Sequence, residues 1–398
     1  MRPTQLLDTQ MQHDGNPVHR RRFDALLDMI DAAISGKVIS VTALGRALAG
    51  DAKEKHRIKR ADLLIGNDAL FCERNIYYQK MTSWLCANTP HPVIQVDWST
   101  LTADEHWHLL RASVSFHGRA LTLFEMVFEQ KDYGTAQSHK RFLRQLKSLL
   151  PVTCSPILVT DAGFKNPWFR AVSAMGWDWV GRVRGKVQIA RNQEDRWIPA
   201  TLLQYVIEQN KPTDLGTFLL AKTSPLSCRI VSLKKPPQGR KDRNKRGDVA
   251  RKSKSRDHAQ SEREGWVLAT SLSELAPVQI TNIYKQRMQI EQGFRDTKSP
   301  RFGLGMDYSG SRSLHRLSNL LLIASLALYS LLLIGLTAEK NELHPQFQAN
   351  TIRRRRVLSF VYLALRVIKR LPDFLVTSDD VLEAQRDIRE YQAALITT

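Results

Sequence analysis

Three carboxylates have the types and positions to do chemistry: Asp97, Asp161 and Glu291. Asp97 closes the run Pro92-Val-Ile-Gln-Val-Asp97, and Asp161 closes Pro156-Ile-Leu-Val-Thr-Asp161. Both read as ends of buried strands, where α/β sheets place their sites. Glu291 lies in Tyr284-x2-Arg287-x3-Glu291-x6-Lys298. On one helix these four would share an arc of roughly 60° at about 100° per residue, over about 21 Å of axis. A hydroxyl, a guanidinium, a carboxylate and an ammonium in one row could track a phosphate backbone while the carboxylate reaches metal. An Arg287–Glu291 surface pair would account for about 0.3 kcal/mol, and would leave Tyr284 and Lys298 unexplained.

Three carboxylates suit two divalent ions about 3.5–4 Å apart, which activate a water or a 3′-hydroxyl and steady the leaving oxygen of an in-line displacement. Mg²⁺ is the expected ion, with Mn²⁺ able to substitute, because both take oxygen ligands. Cys72, Cys86, Cys154 and Cys228 are too widely spaced for a zinc knuckle or a disulfide framework. No G-x4-G-K-[ST] loop is present, so no nucleotide cofactor is expected.

The formal charge of +20, from 59 Lys+Arg against 39 Asp+Glu, favours a polyanionic partner. Nucleic acid is the expected one, double-stranded DNA where the carboxylates do strand chemistry, and a ribosome-like or membrane-surface protein is the plainer alternative. Met1 to Asn16 is polar and lacks a signal-peptide core, so a reducing cytoplasm and association with the nucleoid are expected. Leu317 to Ala338 carries no charge and is long enough to span a bilayer. It also holds Ser318, Asn319, Ser325, Tyr329 and Ser330, and it reads as the buried core helix of a domain, with no membrane.

Five segments must position the carboxylates. Residues 1–90 read as a helical DNA-binding region: a first helix with Phe23, Leu26, Leu27, Ile30 and Ile34, a second capped by Ser40, and a third over 52–65. The third bears Lys53, Lys55, Arg57, Lys59 and Arg60 and suits a DNA-binding module. Residues 91–177 read as strands with a hairpin turn at His117-Gly118, then a helix with Phe142 and Leu146, the Asp161 strand, and a helix capped by Asn166 with Pro167 first inside. This pattern predicts an α/β core with a mixed sheet. Residues 178–272 read as a β-rich insertion, with runs at 179–183, 217–220, 228–232 and 266–269. Within it, Lys234 to Arg256 is too rich in Lys, Arg, Gly, Pro and Ser to build a core, and reads as a solvated loop or phosphate-tracking arm. Residues 273–345 hold the Glu291 helix and the apolar helix, and 346–398 return to helical spacing. The arginines at 353–356 cannot share one helix face.

The spacing Y-x2-R-x3-E-x6-K, with Asp97 in V-D-W-S and Asp161 in V-T-D-A-G-F, resembles the DDE transposases of bacterial cut-and-paste insertion sequences that carry the YREK signature, the Tn-ten-type transposases in particular. Similar segments include Lys55-His56 with Ile58-Lys59-Arg60, Leu110 to Ser113, Gly181-Arg-Val-Arg-Gly-Lys186, Trp266 to Thr270, Gly303-Leu-Gly305 and Phe347 to Thr351. The resemblance implies a ribonuclease-H-like core interrupted by the β-rich insertion, with Asp97, Asp161 and Glu291 as Mg²⁺ ligands. It implies that Tyr284, Arg287 and Lys298 grip the DNA end, that Trp266 assists a hairpin step, and that Arg182, Arg184 and Lys186 belong to a DNA-contacting segment. It also implies a homodimer acting on element ends and target DNA. Gln292 stands where relatives can carry a second acidic residue, which leaves Glu291 as the third carboxylate.

Three other readings use the same residues: a metal-dependent nuclease or resolvase that cuts without rejoining, a DNA-binding regulator with structural carboxylates, and a membrane protein built on 317–338. The polyanion argument makes its own prediction. DNA affinity should fall by about 10³–10⁵ between about 50 and 200 mM salt if about 6–10 phosphates are contacted. A binding titration across that range checks it, and a flat response would contradict it.

Overall fold

The computed structural model describes residues 3–13, 18–236, 264–349, 351–352 and 354–397. The expected arm at 234–256 therefore lies outside the described residues from 237 onward, as does Arg353. The chain divides into two compact units, one of residues 1–154 and 288–393, the other of 155–287 and 394–398.

The first unit opens with five helices: α1 (Pro3–His13), α2 (Arg20–Gly36), α3 (Val41–Ala47), α4 (Glu54–Ile65) and α5 (Asp68–Cys86). Their starts follow the polar caps: Ser40 Oγ accepts the Ala43 N–H at 3.2 Å, and Asn67 Oδ1 accepts that of Leu70 at 2.8 Å. Three antiparallel strands follow, β1 (Val93–Thr100), β2 (Trp107–Phe116) and β3 (Arg119–Glu129), then α6 (Ala136–Leu149). The hairpin turn falls at His117 and Gly118, with φ of 42° and 86°, the two left-handed residues that a tight two-residue turn needs. β2 is buried along its whole length because both faces are covered. One correction concerns Asp97: it does not end its strand. The ladder continues through Trp98, Ser99 and Thr100 while burial falls away.

The second unit starts with β4 (Ile157–Thr160), α7 (Asn166–Ser173) and β5 (Asp178–Val183), a βαβ unit whose strands run parallel. Gly181 lets the helix lie close, since a Cβ there would sit 2.4 Å from the Phe169 ring. β6 (Gln188–Ala190), β7 (Ile198–Pro199), β8 (Thr213–Leu220), β9 (Leu226–Leu233) and β10 (Trp266–Thr270) extend the sheet antiparallel in the order β4-β5-β10-β9-β8-β6-β7. The four β runs expected between 179 and 269 are all strands. α8 (Pro277–Lys285) closes the unit against β5, β8 and β9. Asn166 is not the cap of α7. Lys165 occupies that position, and the Asn166 amide donates to the carbonyls of Leu220 and Ser224 instead. A buried amide with two carbonyls in reach serves tertiary structure, and Asn166 is 7% exposed.

Returning to the first unit, α9 (Met288–Lys298) carries Glu291, followed by α10 (Leu314–Lys340), α11 (Phe360–Arg370) and α12 (Ser378–Thr397). The Tyr284–Lys298 stretch is therefore two helices, and the single 60° stripe expected of it does not exist. Three-residue bonds at Gln286 N–H to Ile283 O and Arg287 N–H to Tyr284 O, both 3.1 Å, end α8. Residues 341–349, 351–352 and 354–359 are turns and a short 3₁₀ piece rather than helix, so Arg354, Arg355 and Arg356 lie off any helix. Arg356 meets Glu339 at 2.9 Å and covers the Phe360 ring at 3.6 Å.

α10 is the apolar segment, and 94% of its most hydrophobic window is buried inside the protein. Several of its polar side chains find partners there. Asn319 donates to the carbonyls of Ile65 and Asn67, and Tyr329 stacks on Trp84 and accepts from Gln385 at 2.7 Å. Ser325 donates at 2.8 Å to Glu125, which also accepts from Tyr78 and pairs with Arg111 Nη2 at 2.7 Å. Arg111 and Glu125 are 2% and 1% exposed. Truncating either to Ala should cost about 3–5 kcal/mol by leaving a buried charge alone, and the double change Arg111→Met with Glu125→Leu should cost far less. Urea unfolding checks this, and a double variant as weak as the sum of the singles would contradict it.

Candidate active site

Asp97 and Glu291 stand in the first unit, on β1 and α9. Asp97 pairs in register with Arg111 of β2, which pairs with Glu125 of β3. Directly opposed residues share a sheet face, so Asp97 shares its face with this buried ion pair. Trp98 faces the other way. Its Nε1 donates to His139 Nε2 at 3.1 Å, and its ring packs on Phe128 and Tyr133. Burial lowers the His139 pKa to about 4, which keeps the imidazole a neutral acceptor. Trp98 thus anchors β1 from behind and leaves Asp97, half-buried, facing forward with its Oδ1 accepting the Trp98 N–H at 2.8 Å.

α9 is held on the same strands by a row of contacts. The Gly118 N–H donates to Gln289 Oε1 at 3.1 Å, and Arg119 Nη1 donates to Gln292 Oε1 at 3.2 Å. Arg119 Nε meets Asp296 at 3.3 Å, and Arg111 Nη1 donates to Thr297 Oγ1 at 3.1 Å while its guanidinium lies 5.0 Å from the Phe294 ring. At the far end Lys298 Nζ donates to Ser99 Oγ at 2.7 Å and to the Thr100 carbonyl. Between these fixed points Glu291 occupies the exposed side of the first turn. Burial lowers the Lys298 pKa to about 8, with Arg111 also lowering it and Asp307 opposing.

Asp161 belongs to the second unit. It follows β4 directly, at the carboxyl end of a strand paired in parallel, and its Oδ1 accepts the Gly163 N–H at 2.8 Å. The same unit holds the aromatic and basic residues expected at DNA. Tyr284, 3% exposed, sets its ring edge-on to Trp266 with centroids 4.9 Å apart. Arg182 lies among Tyr284, Arg184 and Arg287, and burial is the main cause that lowers its pKa. Arg184 pairs with Glu264 at 2.6 Å, and Lys186 is exposed. On α4, Lys59 pairs with Asp62 and Arg60 with Asp28, Arg57 donates to the Leu48 carbonyl, and Lys55 is exposed. Exposed pairs of this kind contribute at most about 1 kcal/mol and exchange readily for another anion.

The carboxylate oxygens of Asp97, Asp161 and Glu291 are donors of the kind Mg²⁺ and Mn²⁺ take. No three His, Cys, Asp or Glu side chains gather at metal-ligating spacing among the described residues. The sequence reading missed the side chains that hold the Glu291 helix: Arg111, Arg119, Gln289, Gln292 and Asp296. A signal existed in Gln289, Gln292 and Asp296, polar residues three and four apart on one helix face.

The family model described as Transposase DDE domain matches residues 88–329, more than half of the chain. The match runs from just before β1 into α10 and includes all three carboxylates. Comparison with curated proteins finds no match.

Burial raises the Asp296 pKa from its ordinary value to about 6, against the opposing pull of Arg119, Arg295 and Arg111. A raised carboxyl favours the folded state at low pH, and that contribution is lost as pH rises through 6. Relative to Asp296→Asn, the wild-type protein should therefore lose about 2 kcal/mol between about pH 4 and pH 6.5. Urea unfolding at both ends of the window checks this, and a gap that stays constant would contradict it.

Proposed function

We propose that this chain, which belongs to the transposase DDE-domain family, binds the terminal inverted repeats of an insertion sequence, cuts the element out and joins its 3′ ends to target DNA. Membership of the family makes the chain a transposase acting on DNA. The proposal adds the YREK signature of the Tn-ten-type enzymes, a ribonuclease-H-like core and hairpin ends. Its main support is the family match, which spans Asp97, Asp161 and Glu291 together with the stretch from Tyr284 to Lys298.

In this reading Asp97, Asp161 and Glu291 hold Mg²⁺, and Mn²⁺ can replace it. The bound metal would activate the attacking oxygen and stabilise the leaving one. The chain's own residues do the rest. Trp98 and the contacts at Arg111, Arg119 and Lys298 fix the orientation of β1 and α9, so the carboxylates need little reorganisation. Tyr284, Arg287, Arg182, Arg184 and Lys186 meet the DNA end, Trp266 receives the displaced base, and Lys55, Arg57, Lys59 and Arg60 contact phosphate. Lys298 serves both α9 and the strand, with its charge strengthened when a phosphate approaches. A homodimer positions two ends.

A nuclease without strand joining is the second reading, since it would use the same carboxylates. The test is cleavage of a fragment spanning an end of the host element, with Mg²⁺, by wild type, Asp161→Asn and Glu291→Ala. Wild type should yield hairpin-ended flanks and joined product, and each variant should bind the end but cut about 10³-fold more slowly. Simple nicks from wild type would favour the nuclease. Full activity in Asp161→Asn would sink the metal assignment.

A further inference from the structure

A cavity of about 460 Å³ opens in the second unit between α8 and the end of β9. Leu233 and Val278 give it apolar walls, and Asn210, Lys235 and Lys285 bring polar groups to it. The rim is fixed by its backbone. Asn210 adopts a left-handed conformation at φ 63°, and its N–H donates to the Lys234 carbonyl at 2.7 Å, next to Lys235. Two cations therefore converge on one hollow. Burial and the nearby Lys235 charge both lower the Lys285 pKa. Lys285 donates to the Asn282 side-chain oxygen, and the Lys235 ammonium stands 5.3 Å from the Trp266 ring centroid. Neither ammonium meets a carboxylate among the described residues. Like charges held together without a counter-ion are unfavourable until an anion joins them.

We infer that this cavity is a phosphodiester subsite for a DNA strand, with Lys235 and Lys285 on the phosphate oxygens and Leu233 and Val278 against the sugar. The inference rests on the proposed function, because it takes DNA as the source of the phosphate. Its position supports that source. The Lys235 ammonium contacts Trp266, whose ring meets Tyr284, and Lys285 follows Tyr284 in the chain. The strand whose base is received at Trp266 thus finds cations for a neighbouring phosphate within the same unit. The row at Lys235 and Lys285 reads no base, so it adds affinity without sequence preference.

The test uses the full chain with Lys235 and Lys285 both changed to Gln, and a second protein with both changed to Arg. Duplex binding is measured across salt concentrations. The Gln protein should lose about 2 from the slope of log affinity against log salt, equally on element ends and unrelated DNA. The Arg protein should keep the slope. An unchanged slope in the Gln protein would overturn the subsite, and so would an equal loss in the Arg protein, which would point to packing. A companion titration separates this inference from the reading beneath it. A short oligothymidylate is added to wild type and to Trp266→Phe, with tryptophan fluorescence as the readout. Quenching in wild type only, even if no element end is recognised, would keep the subsite while the transposase reading fails. Quenching by inorganic phosphate and not by the oligonucleotide would assign the cavity to a free anion and overturn the DNA source. No response to either would overturn the site.

Discussion

The pairing of Arg111 with Glu125 is the constraint on which the first unit depends. Two opposite charges lie side by side on adjacent strands, almost wholly removed from water. Desolvation at such depth is tolerable only if every remaining donor and acceptor is engaged. Tyr78 of α5 and Ser325 of α10 therefore converge on the carboxylate, and Thr297 and Phe294 of α9 on the guanidinium. Three helices are thereby fixed to the strands by one polar centre inside an apolar interior. Such a centre specifies a register, because sliding any helix by a turn would strand a charge.

The consequence for the site lies in what the centre leaves outside. Asp97 is the next member of the Asp97–Arg111–Glu125 row, at the margin where burial fades. Glu291 rides on the helix that the guanidinium holds. The two carboxylates are thus fixed by polar groups largely withdrawn from solvent. Gly293 permits the approach, since a side chain there would press within 3.3 Å of Ala120. The two carboxylates of the proposed site are positioned from behind, through Trp98 beneath one and the Arg119–Asp296 contact beneath the other.

Much of this was legible in the sequence wherever local chemistry decides. Ser40, the His117-Gly118 turn, the strand before Asp161 and the four β runs of the second unit all rest on neighbours in the chain. The buried apolar helix was legible from the polar residues spaced along it. Where tertiary partners decide, the reading failed. Nothing in Lys285-Gln286-Arg287, with neither Gly nor Pro, marks the break between α8 and α9. Asp97 looked terminal because a charge after a mostly apolar run usually ends a buried strand, yet the ladder to β2 carries it on. Asn166 looked like a cap because its neighbour is proline, and two distant carbonyls claim it. The helix clamp was invisible because Arg111 and Thr297 lie 186 positions apart.

The order in which the elements appear along the chain bears on how the protein is made. α10 would pass for a membrane segment to any machinery that reads hydrophobicity alone. It emerges during synthesis after α1, α2, α4, α5, β3 and α9, which are among the elements it packs against, while α11 and α12 are still to come. A complementary surface is already present when this stretch leaves the ribosome. Folding of the nascent chain can then compete with mistargeting and aggregation. The late placement of its most hydrophobic helix means that most of its packing partners are synthesised before it.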